Sequence, residues 1–271
     1  MGRRRLTIKG KTDGFGCQLN AKLSGIAFCF DNNRYEYVHT PFTAVSHGWG
    51  SKENAKRIND FLGIPYRHNA RINVRHRFMK KVFNNPNKFY TDEVLYHLRD
   101  MFWSNKKYET LEQITIHIRR GDIQPHRRDG GRFLRYQSND WYTKILPKVV
   151  RDHPDSYPIV IHSEGNIEQF QSIKDKSPDS ISERIIFKLG KESDPSGCEH
   201  DMLSAFYEMV ASKVFVQSKS GLSYSAGIFN EHSVYMPWGN TAMGQKKKLW
   251  NWKGLDTDVE WSDHHLSNEP V

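Results

Sequence analysis

Two arginines, a glycine and an aspartate close the stretch Gln113 to Asp122, which reads Gln-Ile-Thr-Ile-His-Ile-Arg-Arg-Gly-Asp, and these residue types suit an anion. Alternation along a strand puts Ile114, Ile116 and Ile118 on one face and Thr115, His117 and Arg119 on the other. Arg119 then falls at the strand's carboxyl end, where open α/β sheets bind ligands, and a fixed guanidinium fork fits a phosphate or pyrophosphate. The same residues also read as a buried strand whose arginines pair with acids elsewhere. A second candidate is Ser218-Lys219-Ser220-Gly221-Leu222-Ser223, which follows a strand and opens a helix. Hydroxyls and free N–H groups there can hold a phosphate at the positive end of the helix dipole, while Ser220 can equally be an N-cap. A third is Asp13-Gly14-Phe15-Gly16-Cys17-Gln18, a glycine turn ahead of a helix. Its glycines let the backbone approach an anion or a sugar hydroxyl closely, or the turn simply packs.

Six arginines, Arg119, Arg120, Arg127, Arg128, Arg132 and Arg135, surround Gly130-Gly131. Such a loop repels itself until an anion or acids neutralise it, and the alternative is a solvated basic loop. Metal ligation is poorly supported: Cys198-Glu199-His200 and His264-His265 are too isolated for four-coordinate sites, and the acidic pair Asp256-Thr257-Asp258 lies beyond the expected sheet. No Gly-x-Ser-x-Gly elbow and no Walker loop occurs.

The elements that must position these groups follow from periodicity. Leu6 to Lys9 and Tyr35 to Thr40 read as strands, with a helix between them carrying Leu19, Leu23, Ile26, Ala27 and Phe30 at spacings of three and four. Ser51 caps a helix running to about Leu62, and Thr91 caps another with Val94, Leu95, Leu98, Met101 and Phe102 on one stripe. The basic, Asn-rich segment from Arg67 to Lys88 has no clear period and reads as loop, and Ser104 to Lys107 is the crossing into a second half. There, strands at Ile114–Arg119, Ile159–His162, Ile185–Lys188, Val214–Gln217 and Ser233–Tyr235 alternate with helices at Asp140–Arg151 (bent at Pro147), Ile167–Lys174, Asp201–Ala211 and Leu222–Phe229. That alternation predicts a parallel sheet with crossover helices. The chain is therefore expected to be α/β, with a smaller α/β subdomain over residues 1–107 and a Rossmann-like nucleotide-binding subdomain over 108–271.

Composition sets the outer bounds. The net charge of +9 points to an anionic ligand, nucleic acid or an acidic surface, although the 31 acids are interspersed among the 40 bases. Cys17, Cys29 and Cys198 form no C-x-x-C pair and no disulfide framework, so a reducing compartment is expected. No apolar run follows the basic start, and none approaches the ~18 residues of a membrane span, so the expectation is a soluble, cytoplasmic protein.

Three stretches together resemble the fucosyltransferase superfamily that includes core α1,6-fucosyltransferases, nodulation fucosyltransferases and protein O-fucosyltransferases. Gly14-Phe15-Gly16-Cys17-Gln18-Leu19 looks like the family's N-terminal glycine turn, and His117-Ile118-Arg119-Arg120-Gly121-Asp122 fits its His-x-Arg-Arg-x-Asp signature. Val216-Gln217-Ser218-Lys219-Ser220-Gly221 is similar to its late serine-rich turn. The resemblance implies a GT-B architecture, two Rossmann-like subdomains with parallel sheets facing across a cleft. It further implies inverting transfer of a sugar from a nucleotide donor to a glycan hydroxyl, with no metal or other cofactor required. Donor binding would fall to Gly14, Phe15, Gly16, His117, Arg119, Arg120, Asp122, Ser218, Ser220 and Gly221. Arg119 would stabilise the departing nucleoside diphosphate, Arg120 and Asp122 would shape the loop, and His117 would lie along the nucleotide.

Two departures stand out. Where the core-fucosylating enzymes carry a lysine and then a glutamate proposed as base, this chain has Ile123 and Arg127, which leaves Asp13 and then Asp129 as candidate bases. Asp13 also reads as an Asx-type turn residue. Where those enzymes read guanine with an aspartate, this chain runs Leu189-Gly190-Lys191-Glu192. GDP-fucose is the favoured donor, and a UDP-sugar such as UDP-xylose stays open on the same scaffold. A nucleic-acid binder that uses the basic loop and aromatics is the rival of another class, and it predicts a steep salt dependence.

Overall fold

Runs of β-branched residues alternating with apolar helical stripes dictate most of the chain's elements. The computed structural model describes residues 3–8, 13–46, 51–65, 77–123, 135–190, 201–237, 249 and 251–255. The first half comprises β1 (Arg4–Leu6), α1 (Phe15–Phe30), β2 (Tyr35–Tyr37), α2 (Lys52–Leu62), α3 (Arg77–Asn84), α4 (Pro86–Phe89) and α5 (Asp92–Trp103). The second half comprises β3 (Leu111–His117), α6 (Asn139–Val150), β4 (Ile159–Glu164), α7 (Gln171–Asp175), α8 (Asp179–Ser182) and β5 (Ile185–Gly190). It continues through α9 (Met202–Ala211), β6 (Ser212–Val216), α10 (Gly221–Phe229), β7 (Ser233–Pro237) and β8 (Lys253–Leu255).

The expected α/β class with parallel sheets is what forms. β1 and β2 pair in parallel, and the second half builds a six-stranded, wholly parallel sheet in the order β5-β4-β3-β6-β7-β8. This is the doubly wound order: the chain lays down β3, winds outward to β5, then returns to β3's other side with β6. Ile114, Ile116, Ile159, Ile161, Val214 and Val216 share a core with Trp141, Leu146 and Val149 of α6 and with Ile173 of α7. The opposite face buries Phe215, Val234 and Met236 under Phe206, Met209 and Phe229 of α9 and α10. That second core continues without a break into Leu19, Leu23, Ile58 and Phe102, so first-half helices pack directly on the back of α9 and α10.

Local chemistry sets the helix ends. Ser51, Thr91 and Asp201 accept from the backbone N–H of Asn54, Val94 and Ser204, and Gly63 takes a left-handed conformation to end α2. Several expectations need correction. The first strand forms over Arg4–Leu6 rather than from Leu6 onward, β2 ends at Tyr37 rather than Thr40, and β3 runs Leu111–His117 rather than Ile114–Arg119. Residues 77–89 are helical rather than loop, because Val82 and Phe89 anchor them in the core while Lys80, Lys81 and Lys88 stay exposed. The helix expected over Ile167–Lys174 divides into a 3-10 turn, Ile167–Gln169, and α7. β8 and α8 had no sequence signal of their own.

Candidate active site

The carboxyl ends of β3 and β6 flank the point where the strand order reverses, and it is there that open α/β sheets form their ligand crevice. β3 delivers His117 and Arg119 to this point, and β6 delivers Gln217 and the turn Ser218 to Ser220 that starts α10. Two of the three stretches singled out by residue type therefore converge, although about a hundred residues separate them.

Arg119 is part-buried at the tip of β3, its guanidinium held by Asp122, itself part-buried. The turn between them requires Gly121, whose φ of 72° is left-handed. Arg120 points elsewhere. Its guanidinium lies 4.3 Å from the Tyr136 ring centroid and donates to Asn139 Oδ1 at 2.9 Å, and Asn139 in turn donates to Gln169 O and Ser172 Oγ. The residue thus locks the β3 turn to α6 and α7. Its fork is spent on protein, which suits loop shaping rather than contact with a donor.

His117 is buried behind Arg119. Its Nδ1 is 3.0 Å from Ser218 Oγ and close to Ser223 Oγ, and the two hydroxyls are 3.0 Å apart. Ser223 Oγ also accepts from Ser218 N–H at 3.2 Å. Burial, then the charges of Arg119 and His162, push His117 down to about 3, so the ring is neutral at ordinary pH. Each serine has a single hydroxyl hydrogen, and the direction of the hydrogen bonds among the three groups follows from which ring nitrogen carries the hydrogen. Ser220 Oγ accepts from Leu222 N–H at 3.2 Å, the N-cap role that its position allowed. Lys219 is 5% exposed, and burial lowers its pKa.

The glycine turn at the start of α1 meets the same region from the other side. A Cβ on Gly16 would stand 2.2 Å from Leu222 N and 2.5 Å from Gly221 C, so the first turns of α1 and α10 touch backbone to backbone. Asn20 Nδ2 donates to Gly221 O at 3.0 Å, and Ser225 Oγ donates to Asn20 Oδ1 at 2.8 Å. Phe15 is a core residue, its ring 5.4 Å from Phe206 and 5.8 Å from Phe42, and presents no side chain to a ligand. Asp13 is exposed, and its carbonyl accepts from Gln18 Nε2 at 2.7 Å. Three residues of chain reach at most about 11 Å, which keeps Asp13 near the α1–α10 contact and the switch point.

Ser223 closes the serine-rich stretch that the sequence singled out but carried no role of its own there; five residues beyond Ser218, it joins that hydroxyl to His117. Glu208 on α9 carried no signal in the sequence; it accepts from His162 Nε2 at 3.0 Å and Lys188 Nζ at 2.6 Å. Burial alone would raise its carboxyl, but those hydrogen bonds outweigh burial and hold it at about 2. The candidate base Asp129, the distal arginines Arg127, Arg128 and Arg132, and the segments around Cys198, Asp256 and His264 lie outside the described residues. Among the described residues no group of three or more His, Cys, Asp or Glu could hold a metal ion, and no helix is long and apolar enough to cross a membrane.

No protein-family model and no curated protein matches the sequence. Solved structures similar in shape include E. coli heptosyltransferase WaaC with ADP, at 9% identity and a TM-score of 0.44 over 93% of each chain. E. coli ADP-heptose lps heptosyltransferase II is similar at 9% identity and a TM-score of 0.44, over 93% of this chain and 90% of that one. WaaC with ADP-2-deoxy-2-fluoro heptose follows at 10% identity and a TM-score of 0.42, over 93% of this chain and 92% of that one. Likeness this distant carries no weight for activity, since one fold hosts many chemistries, and the strand order and side chains of this chain stand on their own.

Proposed function

We propose that this chain is a nucleotide-sugar glycosyltransferase of GT-B architecture that transfers a sugar to a glycan hydroxyl with inversion and without a metal ion. The observation that carries this reading is the placement of Arg119 and the Ser218–Gly221 turn on the two strands that flank the reversal of the sheet. A diphosphate at that point meets a fixed guanidinium from β3 and the amino end of α10. As the glycosidic bond to the donor breaks, negative charge collects on the diphosphate, and a donor already held in place by Asp122 stabilises it without reorganisation. His117, held neutral by burial behind Arg119, fixes the serine turn of α10 against the end of β3 through Ser218 and Ser223. Asp13 is the base assigned to the acceptor hydroxyl, being an exposed acid whose main-chain carbonyl is tied to the α1 turn by Gln18.

GDP-fucose is the donor favoured by the resemblance of His117 to Asp122. A UDP-sugar such as UDP-xylose is the second reading, supported by the end of β5, where Leu189 and Gly190 stand in place of a base-reading aspartate. Thermal melts with GDP, UDP and their sugars, run with and without magnesium, separate the two: a ligand at a hundredfold over its Kd stabilises by about 2.7 kcal/mol. Arg119→Ala is expected to lower turnover by roughly two to three orders of magnitude. A loss of only a few-fold removes Arg119 from the chemistry.

A further inference from the structure

We propose that Glu164, the last residue of β4, binds the ribose of the nucleotide donor by accepting hydrogen bonds from its 2′- and 3′-hydroxyls; this rests on the nucleotide-sugar reading above. The six-stranded sheet has β3 as its first strand, β4 as its second and β5 as its third, which is the winding order of dinucleotide-binding sheets. In that order an acid following the second strand is the group that meets a ribose.

Glu164 occupies the corresponding place, and its carboxylate turns inward. A Cβ built on Gly121 would stand 2.0 Å from Glu164 Oε2, so the carboxylate lies over the turn that carries Arg119 and Asp122. The left-handed φ of Gly121 and its missing side chain together leave that space. β4's end is also tied to β3's: Ile118 N–H donates to His162 O at 2.9 Å, and Ser163 Oγ donates to Ile118 O at 2.9 Å. The carboxylate is therefore mounted on a fixed backbone beside the proposed diphosphate position.

Reach and chemistry select the same residue. Neighbouring strands are ~4.8 Å apart, so a sugar one step from a diphosphate held at β3 and β6 lies over β4 on one side or β7 on the other. β7 ends in Tyr235, Met236 and Pro237, all buried, whereas β4 ends in Ser163 and Glu164. An ionised carboxylate accepts hydroxyl hydrogens and repels phosphate, so it fixes which end of the nucleotide faces β4.

The test compares the full-length chain with Glu164→Gln by calorimetric titration. Titrants are whichever of GDP, UDP or ADP binds the wild type and the 2′-deoxy form of that nucleotide. The wild type is expected to favour the ribonucleotide by about tenfold or more, as for one hydrogen bond to a charged group, and Glu164→Gln to shrink that preference to about twofold. A wild-type preference near unity overturns the proposal without any variant, and so does a preference that survives in a folded Glu164→Gln. If none of the three nucleotides binds, the transferase reading falls as well; if they bind with an unchanged ratio, only the role of Glu164 is lost.

Discussion

Gly16 at the start of α1 and Gly121 after β3 look alike in the sequence, each a glycine in a turn beside candidate chemistry, yet different physics requires each of them. Gly121 is demanded by its own backbone, which sits at a φ of 72°. Gly16 lies in the first turn of a helix with no such demand; it is required because the backbone of α10 occupies the place of its side chain, at 2.2 to 2.6 Å. One glycine is local and the other long-range. The N-terminal turn is therefore first a packing joint between the two halves, and whatever it offers a ligand it offers from a position fixed by α10.

The largest effect expected from a single change tests this joint. Gly16→Ala pushes a methyl group into main chain that has no rotamer to yield, so the loss should be about 3 kcal/mol or more. At roughly 2–4 °C per kcal/mol for a chain of this size, the melting temperature should fall by about 6–12 °C. A fall of under 2 °C means that the two helices separate easily and that the joint is not rigid.

Gly121→Ala should cost less, about 1–2 kcal/mol for a left-handed alanine. The atom that its Cβ meets is the far end of the flexible Glu164 side chain. Trimming that side chain with Glu164→Ala should recover the steric part of the loss and leave the dihedral part, a coupling that a double-mutant cycle reads directly. No side-chain deletion should rescue Gly16→Ala in the same way. If one does, the contrast between the two glycines is gone.

What could be read ahead of the structure divides along the same line. The caps at Ser51 and Thr91 and the strands over 114–117 and 159–162 were legible because capping and short runs of β-branched residues are decided within a few residues. Arg77 to Phe89 was not, since Val82 and Phe89 are sparse among lysines and asparagines and only the core of α1 and α5 gives them a face. Nor was β8, whose Lys-Gly-Leu has no pattern of its own and pairs with β7. Within the site, Arg119 and the serine turn were legible by residue type. The partners that tune His117 were not, because Ser218 and Ser223 reach it across 101 and 106 residues.

Acidity gives a smaller and graded way to compare the two regions, since each contains a histidine held neutral. His39, on the α1 side, is pushed down to about 3 by burial and then by Lys22; His117, on the β3 side, reaches about 3 by burial and then by Arg119 and His162. With folded values depressed, each ring stabilises the fold fully above the ordinary value of 6.5. That contribution is lost as pH falls from there toward 3, at up to about 1.4 kcal/mol per unit for each ring. Denaturant unfolding between pH 7 and 4 should show the decline, and His117→Gln should lower its slope by up to about 1.4 kcal/mol per unit. An unchanged slope in that variant places the acid sensitivity outside the site.

The smallest effect comes from two caps made by the same residue type. Ser51 Oγ accepts from Asn54 N–H at 3.1 Å and Ser220 Oγ from Leu222 N–H at 3.2 Å, so each substitution by alanine should cost about 1 kcal/mol. Only Ser220 stands at the switch point. Accepting a hydrogen bond occupies a lone pair and leaves the hydroxyl hydrogen able to donate, so Ser220 can cap α10 and hold a phosphate oxygen together. Ser51→Ala should therefore leave nucleotide affinity within about twofold, whereas Ser220→Ala should lower it by about tenfold, the worth of a hydrogen bond to a charged group. Equal stability losses with equal affinities in the two variants would reduce Ser220 to a cap, and the contact between phosphate and α10 would then rest on backbone N–H groups alone.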